Sequence, residues 1–379
     1  MLQVYEVTTY KEFLSLRERW NSLVEKSSIN SAFLTHEWFR CWWDSYGQGN
    51  QLLILLFQEE GVLKCIVPLM ISKVLFRGLP VRKISFIEND ENPHCGVIED
   101  SSYDISCIID AMVNHLNSTS ESRWDIIMLR KINKDSRLIK ILSDSFKSRG
   151  YDAVINSTLR SPVLYINTDW NSFYAGKSQR FKKKIRYDRN KLKREGNITT
   201  RVFDTPEQIE SIIEEVFAVG CRSWKGKDGN SVGSTPQNRS FFSQLPKALS
   251  NTKNKVLLWT LSLDEKIISF EYHVGQGHTV YALRGEFDAE YQGGSPGAVL
   301  DGEVVHHLFE KGIQTYDMCG DSADLYKLRW TSDVRPYQEL IAFRRGIYPK
   351  ILAFLEMHII PIIMPYYLKI IKKRHLLPW

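Results

Sequence analysis

The stretch HTVYALRGEF (278–287), followed by Gln292-Gly-Gly-Ser-Pro-Gly-Ala298 and then AVLDGEVVHHLFEK (298–311), decides how the chain is read. The first segment is rich in β-branched and aromatic residues and reads as a strand. The last carries apolar residues at helical spacing and is closed by Gly312. Between them lies a glycine-rich turn. Glycines let a backbone approach a ligand closely, and a helix start offers unpaired N–H groups and the positive end of its dipole to a pyrophosphate. The turn is therefore a phosphate cradle in its physics, although such a turn taken alone is more often an ordinary connector. It is not a P-loop, because no Gly-Lys-Ser/Thr follows. It is not a dinucleotide fingerprint, because GxGxxG is absent.

Outward from this point the pattern stays regular. Strands are expected at 255–263 and 266–275, joined at Asp264-Glu265, and a further strand at 314–319 follows the helix. Upstream come a basic helix at 177–195 ending at Gly196, a strand at 198–203, and a helix at 206–222 opened by Thr205-Pro206. A Gly/Ser/Asn-rich loop (226–238) and a helix at 239–249 complete this half. The first half also mixes helix and strand. An amphipathic helix at 10–26 puts Phe13, Leu16, Trp20, Leu23 and Val24 on one face, and Thr35 can cap an aromatic helix within 33–47. A hairpin follows at 51–58 and 62–71, with strands at 81–87 and 125–130 and helices at 101–118 and 135–149. Gly78, Gly96 and Gly150 stand alone there, so the first half has no glycine-rich strand-to-helix turn.

At 379 residues, two domains are expected. The composition, 43% hydrophobic and 25% charged, is that of a folded globular chain. Six scattered cysteines without a CxxC pair suggest neither a zinc site nor a disulfide framework, and a cytoplasmic setting is expected. The adjacent His306 and His307 fall on different helix faces and make no metal pair.

The net charge of +6 is uneven. Lys177–Arg194 holds ten Lys/Arg against one Asp, and the tail from Phe343 holds seven against Glu356, so the rest is acidic. Such patches meet phosphates, anionic lipid or nucleic acid. In the basic helix only Phe181, Ile185 and Leu192 form an apolar stripe, which suits a solvated helix or a cationic face for a phosphorylated acceptor. Duplex DNA is not expected, since no DNA-binding motif accompanies the charge. The tail, with Lys369, Lys372, Lys373 and Arg374, suits either packing on the body or a peripheral contact with an anionic membrane.

Several further segments occur in a telling order: Glu37-Trp38-Phe39 with Trp42-Trp43, Val67-Pro68-Leu69, the basic helix, Tyr281-Ala282-Leu283-Arg284-Gly285, Ser295-Pro296-Gly297, Tyr316-Asp317 with Gly320, and Tyr326-Lys327. This series resembles the GNAT superfamily, in particular the BioF2-like or cellulose-biosynthesis (CelD) type acetyltransferases related to the FemAB transferases. The turn is similar to the GNAT pattern R/Q-x-x-G-x-G/A, with Ser295 where the first glycine is required. The resemblance implies an α/β (α+β) fold of tandem GNAT-like domains, each a mixed, mostly antiparallel sheet flanked by helices. It places an N-terminal copy at 1–160 without a working cofactor site, a C-terminal copy at 161–345 with the acyl-CoA site, and a basic amphipathic tail at 346–379.

It also implies an acyltransferase that moves an acyl group, acetyl first of all, from acetyl-CoA or another acyl-CoA directly to an amine. The acceptor would be an amino sugar, an amino acid or a polysaccharide or cell-envelope precursor, and no metal is required. Donor contacts are expected from Tyr281, Leu283 and Arg284 of the strand and from Gln292, Gly293, Gly294, Ser295, Pro296, Gly297 and Ala298 of the turn. A strand N–H would steady the oxyanion. Asp317 is a candidate base beside Asp321, Asp324, Glu286 and His273, although an acid at a strand end also caps turns. Tyr326 would protonate the leaving thiolate and Lys327 would hold a carbonyl oxygen or phosphate; a packing pair is the plainer role for both. Two rival readings keep the fold: an aminoacyl-tRNA-dependent peptidyltransferase, which would bind tRNA, and a non-catalytic membrane-associated scaffold in polysaccharide assembly.

Overall fold

A computed structural model describes residues 2–118, 123–320 and 326–363. Its first half runs β1 (Gln3–Val7), α1 (Tyr10–Ser15), α2 (Arg17–Lys26), α3 (His36–Tyr46), β2 (Gln51–Glu59), β3 (Val62–Phe76), β4 (Leu79–Phe86), β5 (Ile98–Glu99), α4 (Ile105–Ser118), β6 (Ile126–Asn133), α5 (Leu138–Ser148) and β7 (Asp152–Tyr165). The second runs α6 (Trp170–Ala175), α7 (Gln179–Glu195), β8 (Ile198–Phe203), α8 (Pro206–Arg222), α9 (Trp224–Lys227), α10 (Pro236–Leu249), β9 (Asn254–Leu263), β10 (Lys266–Gln276), β11 (Thr279–Phe287), α11 (Pro296–Glu310), β12 (Thr315–Asp317), β13 (Val334–Phe343) and α12 (Ile347–Phe354).

The two halves repeat one plan. In the first, β1 to β4 are antiparallel neighbours, and β4 is followed by a crossover through α4 to the parallel strand β6. In the second, β8 to β11 are antiparallel, and α11 carries the chain over to the parallel strand β12. The mixed, mostly antiparallel sheets flanked by helices are those of tandem GNAT-like halves. Local chemistry sets the hairpins: Glu60-Gly61, Arg77-Gly78 and Asp264-Glu265 all have positive φ at both central residues, the geometry whose twist matches two-residue strand connections.

The halves share strands. β7 pairs with β13 through Asp152–Pro162 and with β12 through Val163–Tyr165, while β13 also pairs with β6. The last described strand in sequence thus closes the first half-sheet, and the strands form one continuous path. On one face the aromatic helix α3 packs against α10, with Trp38 edge-on to Phe241 at 5.2 Å and Tyr46 bonded to Asn238 at 3.0 Å. The tryptophan-rich segment is therefore core that fastens one half to the other.

Two details depart from the sequence reading. The expected helix at 10–26 is broken at Leu16, where the Ser15 hydroxyl donates to the Glu12 carbonyl at 2.7 Å and competes with the helical ladder. Strands β1, β7 and β13 are not read from sequence; β7 and β13 carry Pro162 and Pro336 and mix polar with apolar residues, which blurs their alternation.

The matching gaps in the two halves differ in content. β4 and β6 are paired only at Lys83↔Ile126 and Ile84↔Ile127, and the segment after β4 fills the space beyond. Arg130 grips the Glu88 carboxylate with two bonds of 2.8 and 2.9 Å, and Lys131 donates to the carbonyls of Asn89 and Asn92. Because Glu88 is almost wholly buried, removing its charge leaves the Arg130 guanidinium poorly compensated. Glu88→Ala is expected to lower the unfolding free energy by ~3 kcal/mol in urea denaturation.

Candidate acyl-donor cleft

Between β11 and β12 the gap is open. Their pairing stops after Thr279↔Thr315, Val280↔Tyr316 and Tyr281↔Asp317, whereas β11 stays paired with β10 as far as Phe287. The β11 edge from Ala282 to Glu286 therefore offers backbone groups with no strand beside them, facing a cleft of about 460 Å³. At Leu283 the β10–β11 register shifts, so that Tyr272 opposes Arg284 and His273 opposes Ala282. A bulge of this kind turns the local backbone and re-aims its neighbours.

The turn forms the upper wall. Ala289–Gly294 is a 3-10 segment, and α11 starts at Pro296, whose missing N–H costs nothing in a first turn. Ser295 caps it with φ +51°, left-handed backbone that glycine adopts freely and serine does not. The sequence departure from the GNAT turn thus sits where the fold wants a glycine. Each glycine has a separate task. A Cβ on Gly294 would lie 2.3 Å from Leu192 of the basic helix, and one on Gly297 would lie 3.2 Å from the Phe287 ring.

The basic helix is built into this arrangement. Its stripe of Phe181, Ile185 and Leu192 faces Trp330 and α11, and Lys191 Nζ donates to the Gly293 carbonyl at 2.7 Å. Arg189 pairs with Glu303 of α11 at 3.2 Å. Helix α7 therefore braces the turn from behind while most of its other cations stay exposed.

Of the residues singled out in the sequence, Leu283, Arg284, Gln292, Ser295, Gly297, Ala298, Tyr326 and Lys327 line this one cleft. Gly293, Gly294 and Pro296 shape the turn behind it. Arg284 is held by Glu91 of the first half, with Nε at 2.9 Å from Oε2. Lys327 Nζ donates to the Cys319 carbonyl at 2.8 Å. Tyr281 and Asp317 point elsewhere. Tyr281 packs edge-on to Phe33 at 4.8 Å, and the Asp317 carboxylate is buried among Arg335 (2.6 Å), Ser161 Oγ (2.7 Å) and the Cys319 N–H (3.0 Å). His306 stacks on Trp170 and His307 packs against Trp259. Asp321 and Asp324 lie outside the described residues.

The cleft also holds Glu286, a candidate base in the sequence, together with two acids the sequence reading passed over, Glu271 and Asp301. Glu271, Glu286 and Asp301 all line it, and each is buried. Burial pushes the Glu271 carboxyl up to about 8 and Glu286 to about 7; burial, aided by the Glu271 charge, pushes Asp301 to about 7. Glu271 bonds to His273 at 2.9 Å, and burial holds that imidazole neutral, down to about 3. Asp301 accepts from the Trp330 indole. Glu286 accepts weakly from the Val232 N–H at 3.3 Å through Oε1, while its Oε2 has no hydrogen-bond partner among the described residues. Gly220 of α8 makes room for that oxygen, since a Cβ there would lie 2.8 Å from it. The sequence signal for Glu271 and Asp301 was an acid inside an apolar strand and another on the apolar face of a helix.

Residues 179–328 match the sequence profile of the acetyltransferase (GNAT) domain family, from α7 through the turn to Lys327 and Leu328. The chain thus carries an acyltransferase-type domain over the segment that builds the cleft. No curated protein matches the chain. Solved structures share its fold. The C-terminal domain assigned to a lysylphosphatidylglycerol synthetase of Agrobacterium fabrum superposes with a TM-score of 0.55 at 13% identity, over 92% of this chain and 97% of that one. FemX gives 0.54 at 12%, over 89% and 96%. L-PGS from Bacillus licheniformis gives 0.53 at 12%, over 91% and 96%. At these identities the likeness is one of fold.

Two measurements follow from the cleft. Ser295→Gly relieves the left-handed strain and should raise the unfolding free energy by about 0.5–1 kcal/mol, read by chemical denaturation. Glu271 keeps its proton in the fold above the pH at which the unfolded chain releases it. The native state then binds more protons, and stability falls as pH rises from the ordinary glutamate value towards about 8. Glu271→Gln removes this term: the two proteins should melt alike near pH ~4.5, with the variant ahead by ~1 kcal/mol or more above pH ~8.

Proposed function

We propose that the chain transfers an acyl group, acetyl first, from acyl-CoA to the amine of an amino sugar, amino acid or cell-envelope precursor. The observation that carries this reading is the unpaired edge of β11 running beside the N-terminus of α11. An extended pantetheine arm can add to that edge as a strand would, while its pyrophosphate meets the first N–H groups of the helix. The unit at 161–345 would hold the donor, and the unit at 1–160, its own gap filled by the segment after β4, would not. Membership of the BioF2-like or cellulose-biosynthesis group, within the broader GNAT assignment, belongs to the same proposal.

In the reaction the amine nitrogen attacks the thioester carbon. The carbonyl oxygen gathers charge and is met by backbone N–H at the Leu283 bulge. Glu286 takes the ammonium proton; a carboxylate poised near neutrality suits this task better than one titrating near its ordinary value. As the carbon–sulfur bond breaks, the CoA thiolate receives a proton from Tyr326, which regains one from water. Asp317, tied to Arg335, links β12 to β13 across the intervening β7 instead of serving as the base.

Calorimetric titration with acetyl-CoA should show saturable binding that Gly297→Val weakens by about tenfold or more, since the added side chain meets Phe287. Glu286→Gln should lower kcat by roughly a hundredfold and flatten the rise in rate through pH ~7 that its ionisation produces. A second reading, an aminoacyl-tRNA donor, is favoured by the exposed cations of α7 next to the turn. Binding of tRNA with no binding of any acyl-CoA, short or long, would select it.

A further inference from the structure

Helix α12 buries only one side. Leu352 and Ala353 pack against Phe76, Val81 and Phe343, and the buried Glu356 carboxylate takes two bonds from Arg77 at 2.8 and 2.9 Å. The other side is apolar and bare. Ile347 is 84% exposed and Phe354 57%, with Ile351 between them on the same face and Met357 and Ile362 continuing beyond. The β3–β4 hairpin tip adds to it. Tyr348 of α12 donates to the Pro80 carbonyl at 2.7 Å, and Pro80 is the cross-strand partner of Leu75, which is 71% exposed. Scattered exposed apolar residues are ordinary, but a contiguous stripe on a helix joined to an exposed hairpin tip marks a contact surface.

The surrounding charge identifies what covers it. From Phe343 to the last residue, Glu356 is the sole acid against seven Lys/Arg, and Glu356 is already paired with Arg77. Asp125, the acid beside the hairpin, is taken by Arg82 at 2.8 Å. Arg345 and Lys350 flank the stripe as exposed cations, Lys73 stands beside Leu75, and the sequence after the described residues continues with Lys369, Lys372, Lys373 and Arg374. An apolar face rimmed mainly by cations is complementary to anionic lipid: the side chains enter the headgroup–acyl boundary and the lysines and arginines meet the phosphates. A second copy of the same face would set cation against cation. No helix among the described residues is long and apolar enough to cross a bilayer.

We propose that the outer face of α12, together with the Leu75 hairpin tip, docks this protein onto an anionic membrane surface. The surface is distinct from the acyl-donor cleft and does not depend on which donor the cleft takes. The full chain should sediment with phosphatidylcholine vesicles containing about one third phosphatidylglycerol and not with phosphatidylcholine alone, and added salt should release it. Ile351→Glu/Phe354→Glu should cut the bound fraction by about tenfold or more. Both positions are exposed, so the variant's thermal melt should match the parent's, and the single variant Ile347→Glu provides an independent reading. Absence of binding to the anionic vesicles would overturn the proposal. So would binding that these substitutions leave intact, which would move the contact to α7, or a parent dimer that the same substitutions disperse in light scattering, which would make the face a self-association surface.

Discussion

Everything at the candidate site depends on β12 being short. Three residue pairs join it to β11, after which β11 continues for six residues with a partner on one side only. A strand edge inside a folded protein is normally covered, because unpaired N–H and C=O groups away from water are unfavourable. Here the edge opens into a cleft, and α11 begins at its far end. An extended arm and a diphosphate are what such a pair of features can satisfy together.

The same constraint explains why the two halves of one repeated plan differ. β4 and β6 are joined by two residue pairs, fewer even than the three between β11 and β12. The gap beyond them is occupied by the chain that follows β4, held through Arg130–Glu88 and the Lys131 ammonium. One gap is filled by its own polypeptide and the other is open. The filled half still reaches the open one, since Glu91, from the filling segment, clamps Arg284 on the cleft wall. Exchange of β7 and β13 between the half-sheets ties the two together so that the cleft is built on a continuous platform.

The acids of the cleft illustrate a tension of this construction. Glu271, Glu286 and Asp301 lie where a dry, walled site needs to be, and burial keeps their protons on near neutrality. A cleft lined with three carboxylates would repel a phosphorylated donor if all were charged. With Glu271 keeping its proton and the other two only partly ionised near neutrality, that repulsion is reduced, and one of them can exchange a proton in the range where amines react. Stability is given up for that placement, as is common where a site is poised for proton transfer.

Much of this was legible in the sequence. The strand–turn–helix–strand block, the basic helix with its stripe of Phe181, Ile185 and Leu192, and the hairpin at Asp264-Glu265 are local features, set by side-chain periodicity, capping and turn chemistry, and they appear where those rules put them. The glycine-rich turn likewise announced the wall of the cleft, because backbone freedom is written in residue type. What only the tertiary structure decided is what depends on chain segments far apart. Strands β7 and β13 owe their existence to each other. Asp317 is claimed by Arg335, eighteen residues away, and so leaves the cleft, whereas Glu271 and Asp301 enter it from another strand and a helix. Local propensity can say that a residue lies in a strand or helix; which buried face it joins, and whether a neighbour neutralises it, is fixed only when the sheet closes.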